Sequence, residues 1–239
     1  MCRHLAWVGE PRSLADLVLR PEHGLLRQSY QPRRQSRGLV NADGWGVGFW
    51  SADAPDPAVP VRWRSSRPLW GDTAFGAVAP VLRSGAVLAA VRSATVGMPL
   101  DETACAPFTD GRWLVSHNGS LDRTVLPARH EAESACDAAL LAAHVLALGD
   151  DLGGPALARR VREVAALDPG ARLSLLLTDG TRVLAVTWGD GLSYRRTADG
   201  LVVASEPWDD DPAWVDVPDH HLLEATRDAV AVTAIEDHP

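Results

Sequence analysis

Cys2 follows Met1 directly, and that placement carries the first chemical meaning in this sequence. Removal of Met1, which a small second residue favours, would put a thiol and a free α-amine on one residue. An α-amine titrates near pKa ~8, against ~10.4 for a lysine side chain, so it can accept the thiol proton at neutral pH. Nucleophile and base would then be a single residue. A second feature is Ser116-His117-Asn118-Gly119-Ser120-Leu121, placed after the apolar Trp113-Leu114-Val115. The Asn118 amide and the Gly119 N–H, unshielded by any Cβ, make two donors suited to a developing oxyanion. Asn-Gly is also the commonest two-residue turn between strands, so a hairpin is the competing expectation there.

Arg92 ends the apolar run Ala86–Val91 and precedes Ser93-Ala94-Thr95-Val96-Gly97. Its planar fork suits a carboxylate held bidentately, and the Thr95 hydroxyl can join it, a pairing fit for the end of a free amino acid. Asp137 can hold the accompanying ammonium. The same aspartate also completes a Ser-x-x-acid capping box from Ser134 at the head of the Ala138–Leu148 run, so the two readings stand level. In Asn41-Ala42-Asp43-Gly44-Trp45-Gly46-Val47-Gly48, an Asp-Gly turn leads into a glycine-spaced strand that lets a backbone or a ligand approach closely. His220-His221 and Asp209-Asp210-Asp211 lack the spacing of a metal site, and the acidic run reads as a solvated loop. Cys105 and Cys136 read as small buried hydrophobes. Nine tryptophans against three Phe and two Tyr bring many N–H groups that need partners, some suited to a ligand pocket and to a cation.

The elements that must position these groups are legible as short apolar runs bounded by Gly, Asp, Ser or Pro. They fall at 5–8, 45–50, 86–91, 112–115, 173–177, 183–188 and 201–204, and they read as strands. Helical spacing appears at 14–19, 74–82, 138–148 and 156–167. Strand groups separated by helices, rather than strict alternation, indicate an α+β arrangement of layered sheets and argue against a doubly wound nucleotide fold. With 46% hydrophobic and 23% charged residues over 239 positions, and no linker, repeat or low-complexity tract, residues 1–239 read as one domain.

Composition removes several function classes. The sequence has no lysine, which excludes a catalytic lysine, a Schiff base and a P-loop. A net charge of −8 disfavours nucleic acid and anionic membranes as partners. Three cysteines without a CxxC pair give neither a disulfide framework nor a zinc site, and suit a reducing cytoplasm. The N-terminus lacks the apolar core of a signal peptide, and the longest apolar stretch is interrupted by His144, so no membrane span is expected.

In chain order, Met1-Cys2, Asp43-Gly44-Trp45-Gly46, Arg92 to Gly97, His117-Asn118-Gly119, an acidic residue within Ser134 to Asp137, and Ala204-Ser205-Glu206 resemble the class II glutamine amidotransferases, a branch of the N-terminal nucleophile hydrolases. The likeness spans nearly the whole chain. It implies a four-layer αββα sandwich, two antiparallel sheets between helical layers, with the mature chain starting at Cys2. It also implies catalysis by Cys2, Asn118 and Gly119, binding of a small γ-glutamyl substrate by Arg92, Thr95, His117 and Asp137, and no metal or cofactor. The ammonia-producing relatives carry an Asn-x-His-Pro-Phe-like segment where this chain reads Cys105-Ala106-Pro107-Phe108, without the histidine. The chain length, moreover, leaves no room for a synthase domain. Both features favour a dedicated γ-glutamyl amidohydrolase. A glutaminase subunit feeding ammonia to a separate synthase, and a catalytically silent binding protein, are the alternatives.

Overall fold

Leu5-Ala6-Trp7-Val8 is apolar without alternation, the pattern of a strand covered on both faces. In the computed structural model, which describes residues 2–127 and 131–235, this run lies inside such a strand. The strands in chain order are Arg3–Ser13 (β1), Trp45–Phe49 (β2), Val61–Ser65 (β3), Arg83–Val91 (β4), Phe108–Thr109 (β5), Leu114–Ser120 (β6) and Arg172–Thr178 (β7). Arg182–Thr187 (β8), Leu192–Thr197 (β9), Gly200–Ala204 (β10), Val215–Val217 (β11), His221–Thr226 (β12) and Val230–Ala234 (β13) complete them. One sheet runs β11-β9-β10-β1-β4-β2-β3 and the other β13-β12-β8-β7-β6-β5, with antiparallel neighbours throughout.

Between the sheets lies an apolar layer built from Ala6, Val8, Leu88, Leu114, Leu176, Val203 and Leu223. On the far face of the first sheet, Leu5, Trp7, Trp45 and Val87 pack against Leu25–Gln28 (α1), Thr73–Val78 (α2) and the helical turn Ala15–Leu19. On the far face of the second, Val115, Leu175 and Val186 pack against Asp137–Leu146 (α3) and Gly154–Leu167 (α4). The result is the four-layer αββα sandwich of the N-terminal nucleophile hydrolases. In α4, Leu157, Val161 and Val164 recur on one face and are buried, and Pro155 sits in the first turn, where its missing N–H costs nothing. Among the described residues no helix is long and apolar enough to cross a membrane.

Two local expectations change. Asn118-Gly119 is no hairpin turn: β6 runs through both residues, with Asn118 opposite Ser174 and Gly119 opposite Leu173 on β7. The strand that pairs with them arrives only after α3 and α4, so the pairing is nonlocal. The capping box also fails. The α3 N-cap is Cys136, which makes no side-chain cap bond, and Asp137 is the first helical residue. Its carboxylate suits the positive helix N-terminus.

Candidate active site

Pairing in the first sheet builds one wall. Arg3 on β1 lies opposite Val91 on β4, so Cys2 and Arg92, one step further on each strand, emerge at the same end of the ladder. Cys2, Arg92, His117, Trp45, Ala106 and Phe108 line one cleft, with Ala138 of α3 closing it. Cys2 is half-buried, and its Sγ has one polar contact, the Ser93 carbonyl at 3.9 Å. Cys105 and Cys136 are fully buried, as expected, and burial pushes the Cys105 thiol up to about 11, which keeps it protonated and inert.

Arg92 is only 8% exposed and, among the described residues, forms no ion pair with a carboxylate. Its main chain is braced on both sides: its N–H donates to the Gly44 carbonyl at 2.8 Å, and its carbonyl accepts from Asp43 N–H at 2.9 Å. The Asp43 carboxylate accepts from Ala94 N–H at 2.8 Å and fixes the start of the following turn. A buried guanidinium without a protein counterion is costly unless a ligand supplies the anion. The glycines of β2 serve the protein's own packing, since a Cβ on Gly46 would lie 2.4 Å from the Ala106 carbonyl oxygen.

Asn118 is wholly buried, and among the described residues neither atom of its side-chain amide has a hydrogen-bond partner. The hydroxyl of Ser174, its neighbour across the β6–β7 register, is likewise unpartnered. Buried polar atoms left unsatisfied cost roughly 1–3 kcal/mol each, so an amide held this way can donate to a ligand that reaches it. At Gly119 a Cβ would stand 1.9 Å from the Arg172 carbonyl oxygen, so only glycine fits. His117 Nε2 lies 2.9 Å from that same carbonyl. A carbonyl only accepts, so Nε2 carries the proton of a neutral His117.

Asp137 sits nearly buried at the head of α3, its Oδ1 accepting from Ala138 N–H at 2.9 Å and its Oδ2 facing Leu121 N–H at 3.5 Å. Thr95 lies apart, exposed on the turn after Arg92 and not among the residues lining the cleft. Met1 falls outside the described residues. The acidic run lies in a largely exposed loop, where Asp209 and Asp211 pair with Arg195 at 2.8 and 3.0 Å and Asp210 pairs with Arg33 at 2.6 Å.

Several groups at the site were not legible as such. Trp45 lines the cleft with a buried indole N–H that has no partner, held by the ring of Phe75 at 4.3 Å. Asp72 caps α2 through Phe75 N–H at 3.0 Å and so places that ring. His4, fully buried between the sheets, contacts the Ser116 hydroxyl through Nδ1 at 3.0 Å. Burial, with Arg3 and His117 adding to it, holds the His4 pKa well below its usual value. The unfolded chain therefore takes up a proton that the folded chain refuses, so this contribution to stability is complete above pH ~6.5 and declines as pH falls below it. Between pH 6 and 5 the wild type should lose up to about 1.2 kcal/mol more unfolding free energy than His4→Gln, as read from urea titrations; equal slopes would refute a neutral buried His4.

The fold is two stacked antiparallel sheets between helical layers, with Cys2, Arg92 and His117 lining one cleft. Residues 25–196 match the class-II glutamine amidotransferases, and the chain belongs to that family. Over 236 residues it is 57% identical to the gamma-glutamyl-hercynylcysteine sulfoxide hydrolase of Mycobacterium tuberculosis, covering 99% of this chain and 97% of that protein. The protein of the same name from Mycolicibacterium smegmatis is 57% identical over 235 residues, covering 98% of this chain and all of that one. Among solved structures, a glutamine aminotransferase class-II domain protein from Silicibacter pomeroyi shares the fold, with a TM-score of 0.70 at 22% identity over 99% of this chain and all of that one.

Proposed function

We propose that this chain hydrolyses the γ-glutamyl amide bond of γ-glutamyl-hercynylcysteine sulfoxide to glutamate and hercynylcysteine sulfoxide, a step of ergothioneine biosynthesis. The observation that carries this reading is 57% identity, end to end, with the mycobacterial hydrolases of that name. The same reading takes residues 1–239 as one catalytic domain acting on a small molecule in the cytoplasm, where a reducing milieu keeps the nucleophilic thiol free.

In this mechanism the α-amine of a mature Cys2 takes the thiol proton, and the sulfur attacks the γ-carbonyl carbon. The oxyanion accepts from the Asn118 amide and the Gly119 N–H. The protonated α-amine gives its proton to the departing amine nitrogen, the C–N bond breaks, and a thioester forms. Water then attacks the thioester, giving its proton to the amine, and glutamate leaves as the thiol is restored. Arg92 holds the glutamyl α-carboxylate and Asp137 its ammonium, with His117 closing the cleft beside them. The cleft leaves only about 20 Å³ of open space and Thr95 lies outside its lining, so contact of Thr95 with the carboxylate requires the turn after Arg92 to shift.

The test is a product assay by mass spectrometry, with protein starting at Cys2 given the γ-glutamyl sulfoxide and glutamine in one tube. Glutamate with hercynylcysteine sulfoxide and little ammonia supports the reading; ammonia with the sulfoxide untouched overturns it in favour of a glutaminase subunit. Asn118→Ala removes one oxyanion donor and should lower kcat by about 100- to 1,000-fold with little change in KM. A loss below tenfold would show that Asn118 is not the donor.

A further inference from the structure

Beyond the cleft, a second cavity of about 240 Å³ is lined by Arg3, Arg34, Asp190, Ser193, Ser205 and Asp216. Arg3 lines this cavity and follows Cys2, which lines the cleft, so the two spaces are neighbours. The cavity holds charges of both signs that the protein leaves incompletely paired. Arg3 is 3% exposed; its Nε donates to Gln35 Oε1 at 3.3 Å, and among the described residues its guanidinium has no carboxylate within 4 Å. The Asp190 side chain is 8% exposed, with Oδ1 at 3.5 Å from Arg172 Nη1 and Oδ2 buried without a hydrogen-bond partner. Burial raises the Asp190 carboxyl pKa against the pull of Arg172 and Arg3, so a cation at Oδ2 would relieve it. The rim is an internal pair, Arg34 with Asp216 at 2.6 Å, and Ser193 donates to the same carboxylate at 2.6 Å.

The walls are held rigidly. Glu206, fully buried, accepts from the main-chain N–H groups of Arg33 and Arg34 at 2.9 and 2.6 Å, and Gln35 Oε1 also accepts from Asn41 at 3.0 Å. A site built for glutamine needs no such space, since a departing ammonia, the size of a water, requires only about 10–15 Å³.

We propose that this cavity is the leaving-group subsite and that it selects a zwitterionic amine, an inference that rests on the hydrolase reading above. The leaving amino acid carries a carboxylate next to the scissile nitrogen and, at its far end, a trimethylammonium beside a second carboxylate. Arg3, adjacent to the nucleophile, takes the near carboxylate. Asp190 takes the quaternary ammonium, whose positive charge offsets that of a nearly buried carboxylate.

The experiment compares kcat/KM for γ-glutamyl-hercynylcysteine sulfoxide with kcat/KM for γ-glutamyl-p-nitroanilide, in wild type, Asp190→Asn and Asp216→Asn. For Asp190→Asn the ratio of the two values should fall at least tenfold, mainly through KM for the sulfoxide, and inhibition by the product hercynylcysteine sulfoxide should weaken by a similar factor. An unchanged ratio, or equal losses on both substrates, overturns the subsite. Should Asp190→Asn not fold, Asp216→Asn decides by the same ratio, with a fall of at least threefold expected. A wild type that turns over glutamine and spares the sulfoxide sinks the hydrolase reading itself, an outcome visible before any variant is made.

Discussion

Cys2→Ala should fold as the wild type does and lose turnover by at least about 10⁴-fold, because removing the nucleophile deletes the covalent route while leaving only binding and oxyanion stabilisation. The structure gives both halves of this expectation. The Cys2 side chain lies at the mouth of β1, half-buried, with one long contact to the Ser93 carbonyl at 3.9 Å, so its loss opens no cavity in either core. Cys105 and Cys136 cannot substitute, since both thiols are buried and burial raises their pKa values. The measurement is the initial rate of glutamate release, alongside thermal unfolding. Retention of a tenth of wild-type activity in a folded Cys2→Ala protein would rule out the thioester mechanism.

An uncleaved extension ahead of Cys2 should be nearly as damaging. Joining the α-amine into a peptide bond removes its basicity, and with it the general base for attack and the general acid for departure of the amine, each of which contributes typically 10²–10⁴-fold. His117 Nε2 is committed to the Arg172 carbonyl, and His4 is fully buried between the sheets with its Nδ1 on Ser116. A tag followed by a protease site that leaves Cys2 first gives the test in a single preparation: rates before and after trimming should differ by at least 100-fold, with intact mass recorded for both. Equal rates would show that the α-amine takes no part.

Under the proposed function, the charge arrangement around Arg92 suits glutamyl binding in the cleft. A guanidinium 8% exposed, whose Nη1 donates to the Asp43 carbonyl at 3.4 Å and which has no carboxylate partner among the described residues, keeps its binding capacity for an anion from solution. Surface arginines of the same chain are spent differently: Arg33 pairs with Asp210 and Arg34 with Asp216, fixing loops that frame the second cavity.

Much of the architecture is written locally. Strands covered on both faces must be apolar at every position, so β1, β4, β7, β8 and β10 stand out as continuous runs, and α3 and α4 carry their own helical spacing. β3 and β13, edge strands with little buried surface, carry no such run and were missed, as were β9, β11 and β12, whose polar positions break the pattern. Residue types likewise singled out Cys2, Arg92, Asn118, Gly119 and Asp137, because a thiol, a fork of donors, an amide and a carboxylate state their chemistry wherever they lie.

Their assembly is another matter. Asn118-Gly119 reads as a turn when only its neighbours are considered, and it becomes a strand because β7, more than fifty residues later, supplies the hydrogen-bond partners and approaches Gly119 too closely for any Cβ. Asp137 reads as a helix cap until the packing of α3 starts the helix at Asp137 itself. That Arg92 lacks a carboxylate partner, and that the Asn118 amide, the Trp45 indole N–H and Asp190 Oδ2 lack hydrogen-bond partners among the described residues, depends on what does not come near them, and no local pattern encodes that. Sequence alone therefore determined the layers and the reactive groups, since hydrophobic period and functional-group chemistry are properties of single residues and short windows. The tertiary structure decided which groups meet and which are left without a partner, because both depend on contacts between segments far apart in the chain.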